Sequence, residues 1–377
     1  MRFVFINTGT LRQNTSVIRC LGFGTRLARR GHDVTIILSN QPENLKRYGS
    51  FFRGVHFLYT ARGAFVEEVS KLLILLRLQP VHVVHSMGAE PKIFLPALAA
   101  RRVLRRKHLL VVDYEDKQSL LVPAYKVKVL ASLENLSLMH ADMVVCASRF
   151  LEEEYAAKVP GKTLYIPMGF EFSNVMRPNG RREDGLNGKV RLGYVGKLIG
   201  PYEDQVKFML EAFPLLKAQM DGVELHLIGD GPSREHFEKR CREQALGDSI
   251  IFHGYVEDDE LLPLLTTMNA LVFPFANKPL NIYRCPHKAF LYAQTGLPIV
   301  TNPVGEVYAL LQDYPRAYFF AEEDFESFTD AVLRSLKSTS SSDIHGYYQR
   351  RSWDALSEVY LTKCLSRGRT VLGWKYN

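Results

Sequence analysis

The sequence predicts an α/β protein made of two Rossmann-like, doubly wound domains in tandem. Short apolar runs alternate with segments of helical period along nearly the whole chain, the pattern of a parallel sheet covered by helices on both faces. The alternation pauses in RPNGRREDGLNGKV, residues 177–190, where Pro, Gly, Asn and mixed charge gather as in a linker. It then restarts. With 377 residues, 46% hydrophobic and 23% charged, the chain has the length and balance for two globular domains.

The elements follow in order. RFVFIN is a first strand. SVIRCLGFGTRLARRG is a helix with Val17, Cys20, Leu21, Gly24, Leu27 and Ala28 on one face, stopped by Gly31. DVTIILS is the second strand, and VHVVHS, HLLVVD and DMVVCAS repeat the theme. After the linker come the strand VRLGYVG, the helix EDQVKFMLEAFPLLKAQ, the strand VELHLIGDGP with its tight turn, the helix SREHFEKRCREQAL, and the strands SIIFHGYV and ALVFPF. The expected domains are 1–180, rejoined by 351–377, and 188–350. Ligands bind such sheets at the carboxyl ends of the strands, and two facing sheets predict a cleft.

Several classes are excluded. LLILLRLQPVHVVH is interrupted by Arg77 and Pro80 and does not span a bilayer. MRFVFINTG lacks the basic region and long apolar core of a secretory signal. Cys20, Cys146, Cys241, Cys285 and Cys364 are scattered without a CxxC spacing, which argues against a zinc site or disulfide framework and for the cytoplasm. The net charge of +8 suits nucleic acid, anionic lipid or phosphorylated ligands. Its sharpest cluster is RRVLRRK, opening at Arg101 and closing at Lys107. It reads either as a solvated helix face or as a peripheral contact with anionic membrane. Nothing has the aromatic or zinc-finger spacing of a nucleic-acid binder.

LARRGHDVTIIL, HADMVVCASRFLEEEY, YIPMGFEF, LGYVGKL, LHLIGDGPSREHFE and IIFHGYVEDDELLPLL occur in an order that resembles the retaining glycosyltransferases of family 4, which have the GT-B fold. SWDALSEVY resembles the helix by which that family's C-terminus crosses back to the first domain. The resemblance covers nearly the whole chain.

It implies a nucleotide-sugar donor, UDP- or GDP-linked, held by the second domain, with no cofactor or metal. Transfer develops negative charge on the leaving diphosphate, so cations or N–H donors are needed there. Lys197 stands where the family has a basic diphosphate contact, and Arg284 and Lys288 are candidates for the second. The GDGP turn (Gly229, Asp230, Gly231) lies near the nucleotide in the family, and its glycines also suit a tight turn alone. Tyr283 and Leu291 occupy the family's two glutamate positions. Leu291 cannot accept a ribose hydrogen bond; Tyr283, Glu306 and backbone groups of NPVGE are the available substitutes, and VGE reads equally as the cap of the helix that follows. The family's phosphate-facing Gly-Gly pair falls on Asn14 and Thr15, leaving Gly9 as the loop's glycine.

In the first domain, VVDYEDKQS places Asp113, Glu115 and Asp116 at a strand's carboxyl end, where an exposed catalytic role is expected. Glu115 or Asp116 would orient an acceptor hydroxyl or take its proton. Glu115 stands at the family's histidine and, ionised, cannot donate as that histidine does. His85 reads as a structural histidine beside a loop, HSMGAEP, with the chemistry of an acceptor pocket. The leading expectation is a glycosyltransferase acting on a glycan or lipid-linked acceptor in polysaccharide or glycoconjugate synthesis. The alternative is a catalytically degenerate GT-B protein serving an active transferase as scaffold.

Overall fold

A computed structural model of the chain describes residues 1–9, 15–63, 65–105, 107–171, 188–337 and 344–374. The chain forms two compact units: Met1–Gly169 with Tyr283–Cys285 and Gln349–Asn377, and Phe170–Ile282 with Pro286–Tyr348. The first boundary therefore falls earlier than the expected 180. Phe170 joins the C-terminal unit because its ring packs 5.2 Å from both Phe290 and Tyr348. Most of the predicted linker lies outside the described residues.

The N-terminal unit holds β1 (Arg2–Ile6), β2 (Asp33–Leu38), β3 (Phe51–Phe52), β4 (Val55–Tyr59), β5 (Val83–Ser86), β6 (Leu109–Tyr114), β7 (Met143–Cys146) and β8 (Thr163–Tyr165). They are ordered β3-β4-β2-β1-β5-β6-β7-β8, and only the β3–β4 pairing is antiparallel. β5, β6 and β7 are buried at every position. That explains their unbroken apolar runs, since helices cover both faces of such a sheet.

The first helix, Thr15–Arg29, buries Val17, Cys20, Gly24 and Leu27 as its spacing predicts, while Leu21 and Ala28 are half-buried. Gly22 and Phe23 are buried as well, because Trp353 covers them. A Cβ on Gly22 would meet the Trp353 ring at 2.4 Å, and one on Gly169 would meet it at 2.6 Å. Trp353 opens the helix Trp353–Leu372, whose start is capped by Ser352 Oγ accepting from the Ala355 N–H. The expected returning C-terminal helix is thus part of the N-terminal unit.

The C-terminal unit holds β9 (Val190–Val195), β10 (Val223–Ile228), β11 (Ile250–Gly254), β12 (Ala270–Phe273), β13 (Ile299–Thr301) and β14 (Ala317–Phe319), all parallel, in the order β11-β10-β9-β12-β13-β14. Its core joins Leu192, Tyr194, Leu225 and Val272 of the strands to Met209, Phe213 and Phe328 of the covering helices. Among the described residues no helix is long and apolar enough to cross a membrane.

Candidate active site

In the N-terminal unit β1, β5 and β6 run side by side, and the residues at their carboxyl ends line a cavity of about 170 Å³. Asn7 and Thr8 come from the end of β1, Met87 and Glu90 from the loop after β5, and Asp113, Glu115, Asp116 and Gln118 from β6 and its loop. Asn7 Oδ1 accepts from the N–H groups of Thr8 and Gly9, at 2.7 and 2.9 Å. The N–H of Gly9, the glycine left in the loop, is therefore engaged by Asn7. Gln118 Oε1 accepts from the Ala89 N–H at 2.9 Å and ties the β5 and β6 loops together.

The three acids have different environments. Asp113 is a buried side chain, which corrects the expectation of an exposed catalytic acid. Its Oδ2 accepts from Arg19 Nε at 2.7 Å and lies 3.1 Å from His85 Nε2. Arg19 is held in turn by the carbonyls of Ile166 and Pro167, at 2.7 and 2.9 Å. Burial alone would raise the Asp113 pKa, but Arg19 and His85 hold it below its ordinary value. Burial also lowers the His85 pKa, although Asp113 opposes this. An ionised Asp113 only accepts, so His85 Nε2 carries the proton, and Nδ1 accepts from the Tyr360 hydroxyl at 2.8 Å. His85 is structural, as its sequence context suggests, and ties the returning helix to the loop ends. Asp113 Oδ1 has no hydrogen-bond partner among the described residues.

Glu115 and Asp116 are half-buried at the cavity. The Asp116 carboxyl is pushed above its ordinary range by desolvation, and Arg284, whose Nε lies 3.9 Å from its Oδ1, only partly opposes that. Arg284, a candidate for the second diphosphate cation, thus groups with this unit and pairs with Asp116 there. Its neighbour Tyr283 belongs to the unit too: the Lys117 ammonium lies 4.6 Å from the Tyr283 ring centre, and Tyr283 packs on the N-terminal core. These acids do not form a metal-binding group among the described residues.

In the C-terminal unit β9 ends at Val195, and the loop after it carries Lys197, exposed and without an ion-pair partner among the described residues. That loop runs against the GDGP turn. The Leu198 N–H donates to the Asp230 carbonyl at 3.0 Å, and the Gly196 N–H to the Ile228 carbonyl at 2.9 Å. A Cβ on Gly229, where φ is +136°, would fall 2.0 Å from the Gly196 carbonyl oxygen, and one on Gly231 would fall 2.3 Å from that of Leu198. The turn's glycines thus serve close backbone approach. Asp230 Oδ1 accepts from the Gly231 N–H and stiffens the turn.

Lys288 donates to Gln205 Oε1 at 3.0 Å, with its ammonium 4.1 Å from the centre of the Tyr194 ring. Leu291 is half-buried on the helix His287–Gln294. Glu306 is wholly buried in the helix Gly305–Leu311, so it presents no surface to a nucleotide. That corrects its expected role as the ribose contact.

Two family descriptions match this chain: glycosyl transferase 4-like domain over residues 17–169, and glycosyl transferases group 1 over residues 189–338. The chain belongs to the group 1 glycosyltransferases. An uncharacterised glycosyltransferase of Methanocaldococcus jannaschii is 22% identical to this glycosyltransferase over 90% of the chain and 91% of its own length. The alpha-monoglucosyldiacylglycerol synthase of Streptococcus pneumoniae is 23% identical over 85% and 75%. Among solved structures, Anabaena HepE in complex with UDP has a TM-score of 0.73 at 14% identity, covering 97% of this chain and 100% of its own. The sucrose-phosphate synthase of Thermosynechococcus elongatus has a TM-score of 0.70 at 15% identity, covering 97% and 99%. The fold of this glycosyltransferase is GT-B.

Some site residues were missed by sequence reasoning. Arg19, Asn7, Glu90 and Gln118 build the N-terminal cavity or its support. For Arg19 the helical spacing gave no signal: it falls on the side away from Val17, Cys20, Leu21, Gly24, Leu27 and Ala28, and it is buried because Asp113 and the carbonyls of Ile166 and Pro167 meet it there.

Proposed function

We propose that this glycosyltransferase moves a sugar from a UDP- or GDP-linked donor to a hydroxyl of a glycan or lipid-linked acceptor, with retention of anomeric configuration and without a metal. The observation that carries the reading is the acid-lined cavity at the carboxyl edge of the N-terminal sheet. Its carboxylates and neutral polar groups suit a hydroxyl-bearing ligand. Asp116 is the group proposed to orient the acceptor hydroxyl or take its proton, since a raised pKa makes a carboxylate a better base near neutrality. Lys197 is the proposed diphosphate contact in the C-terminal unit, where its charge would stabilise the leaving group.

The UDP bound to HepE supports a uridine donor, and the likeness to a monoglucosyldiacylglycerol synthase supports a lipid-linked acceptor. Five free, buried cysteines support a cytoplasmic setting. The scaffold alternative is not favoured, because the chain matches transferase families over both halves.

The test is a thermal-shift series with UDP-, GDP-, ADP- and CMP-sugars, followed by transfer assays with the donor that binds. A true donor raises the melting temperature by mass action. No shift with any of the four at millimolar concentration, and no transfer, would overturn the reading.

A further inference from the structure

At the amino ends of β6, β7 and β8, the sheet edge opposite the acid-lined cavity, the N-terminal unit has a second cavity of about 530 Å³. Three stretches of chain converge on it. Arg102 and Arg105 come from the end of the helix Pro91–Val103 and the turn after it, Met139 and His140 from the end of the helix Ala124–His140, and Lys162 from the approach to β8. The run RRVLRRK is thus not one solvated face. Arg101 turns inward, where its guanidinium binds both oxygens of Asp142, and Asp142 Oδ2 also accepts from the Leu110 N–H at 2.9 Å. The carboxylate of the cavity is thereby taken up.

Arg102 and Arg105 are exposed, and neither has an ion-pair partner among the described residues. Lys162 donates to the Met139 carbonyl at 3.1 Å. Its ammonium pKa is lowered first by burial and then by the like charges of Arg367 and Arg101, against the pull of Asp142. Arg105 is held at φ +51°, a left-handed conformation that costs energy for a residue with a Cβ. Met139, at the cavity, and Val103, between the two arginines in sequence, are 62% and 61% exposed.

We propose that this cavity binds a phosphate group, carried either by a soluble phosphorylated compound or by an anionic lipid headgroup. Two arginines and a lysine from separate segments offer charge-assisted donors on several sides of one anion, with arginine able to engage two oxygens at once. The site stands on the edge away from the acid-lined cavity and does not depend on the transferase reading.

The test uses the full chain. Inorganic phosphate and glycerol 3-phosphate are titrated by calorimetry, and flotation compares vesicles of phosphatidylcholine alone with vesicles that also contain phosphatidylglycerol. Arg105→Ala and Lys162→Ala should each weaken binding about tenfold or more, Arg105→Lys should weaken it less, and unfolding midpoints should stay close to wild type. Binding of the soluble probes assigns a soluble ligand, and retention on acidic vesicles alone assigns the headgroup. Either outcome supports the site if the substitutions weaken it about tenfold or more. Binding of neither kind, or binding indifferent to both substitutions, overturns it.

Discussion

Arg19 and Asp113, 94 positions apart in sequence, form an ion pair at 2.7 Å with both side chains shut away from solvent. Taking one member from such a pair leaves a buried charge alone. Arg19→Met should therefore lower stability by about 3–5 kcal/mol, read as the urea midpoint. Adding Asp113→Leu should restore part of that loss. If the single variant unfolds like wild type, the pair is not structural.

Asp116→Asn should reduce turnover by ~10²–10⁴-fold if this carboxylate takes the acceptor proton. Its raised pKa places the acid limb of kcat/KM above the ordinary ~3.9 of an aspartate. Activity is full when the group is ionised and falls as the pH drops through its pKa. Arg284 is the influence that lowers that pKa, so Arg284→Ala should move the limb to higher pH. A limb left in place in Arg284→Ala would separate the two residues functionally.

Lys197→Ala should weaken UDP binding by about 1.5–3 kcal/mol, the worth of a hydrogen bond to a charged group. Calorimetry of wild type and variant decides it, and equal affinities would remove Lys197 from the donor site.

Gly229→Ala should cost about 2–4 kcal/mol, since the new methyl meets a backbone oxygen at 2.0 Å and φ is +136°. Gly247→Ala, where the nearest atom to a Cβ is 3.9 Å away, is the control and should be close to neutral. Thermal denaturation of the two variants checks this.

His108 is buried, and neither ring nitrogen has a hydrogen-bond partner among the described residues. Burial, then Arg101, depress its pKa to about 4, with Asp142 opposing. The unfolded chain takes up its proton near pH 6.5 and the folded one near 4. Stability from the neutral ring is therefore complete above about 6.5 and is lost as the pH falls toward 4, by up to about 3 kcal/mol. His108→Leu should flatten that acid limb in urea unfolding at pH 7 and 4.5. An unchanged pH dependence would contradict the assignment.

The fold was legible because strand and helix periods are local: the central strands of both sheets can be followed from RFVFIN to ALVFPF, while β3, β4, β8, β13 and β14, toward the sheet edges, were not read. Of the candidate site, what was legible is position along the chain: Asp116 lines the cavity after β6, and Lys197 is exposed in the loop after β9. What failed depends on distant partners. Asp113 is buried because Arg19 and His85 meet it there, and Arg101 is buried because of Asp142. Neither pairing has a period or a spacing to read. Tyr283 and Arg284 lie in a stretch that reads as second-domain sequence, yet their contacts are with Lys117 and Asp116. Glu306 looked available because a carboxylate in the first turn of a helix is commonly solvated, and here the helix is packed over it.

The Trp353 indole fills the space left over Gly22 and Gly169, and the Tyr360 hydroxyl meets His85 from the same helix. A ribosome makes those two aromatic residues only after every described strand of both sheets. Until they emerge, the N-terminal unit has an open seam over its first helix, and His85 Nδ1 lacks the hydroxyl that it meets in the folded chain. The unit whose strands come earlier in this chain is therefore completed after the later one, and synthesis stopped before Trp353 would leave every strand of the C-terminal sheet made while the first helix of the N-terminal unit still lacks its cover.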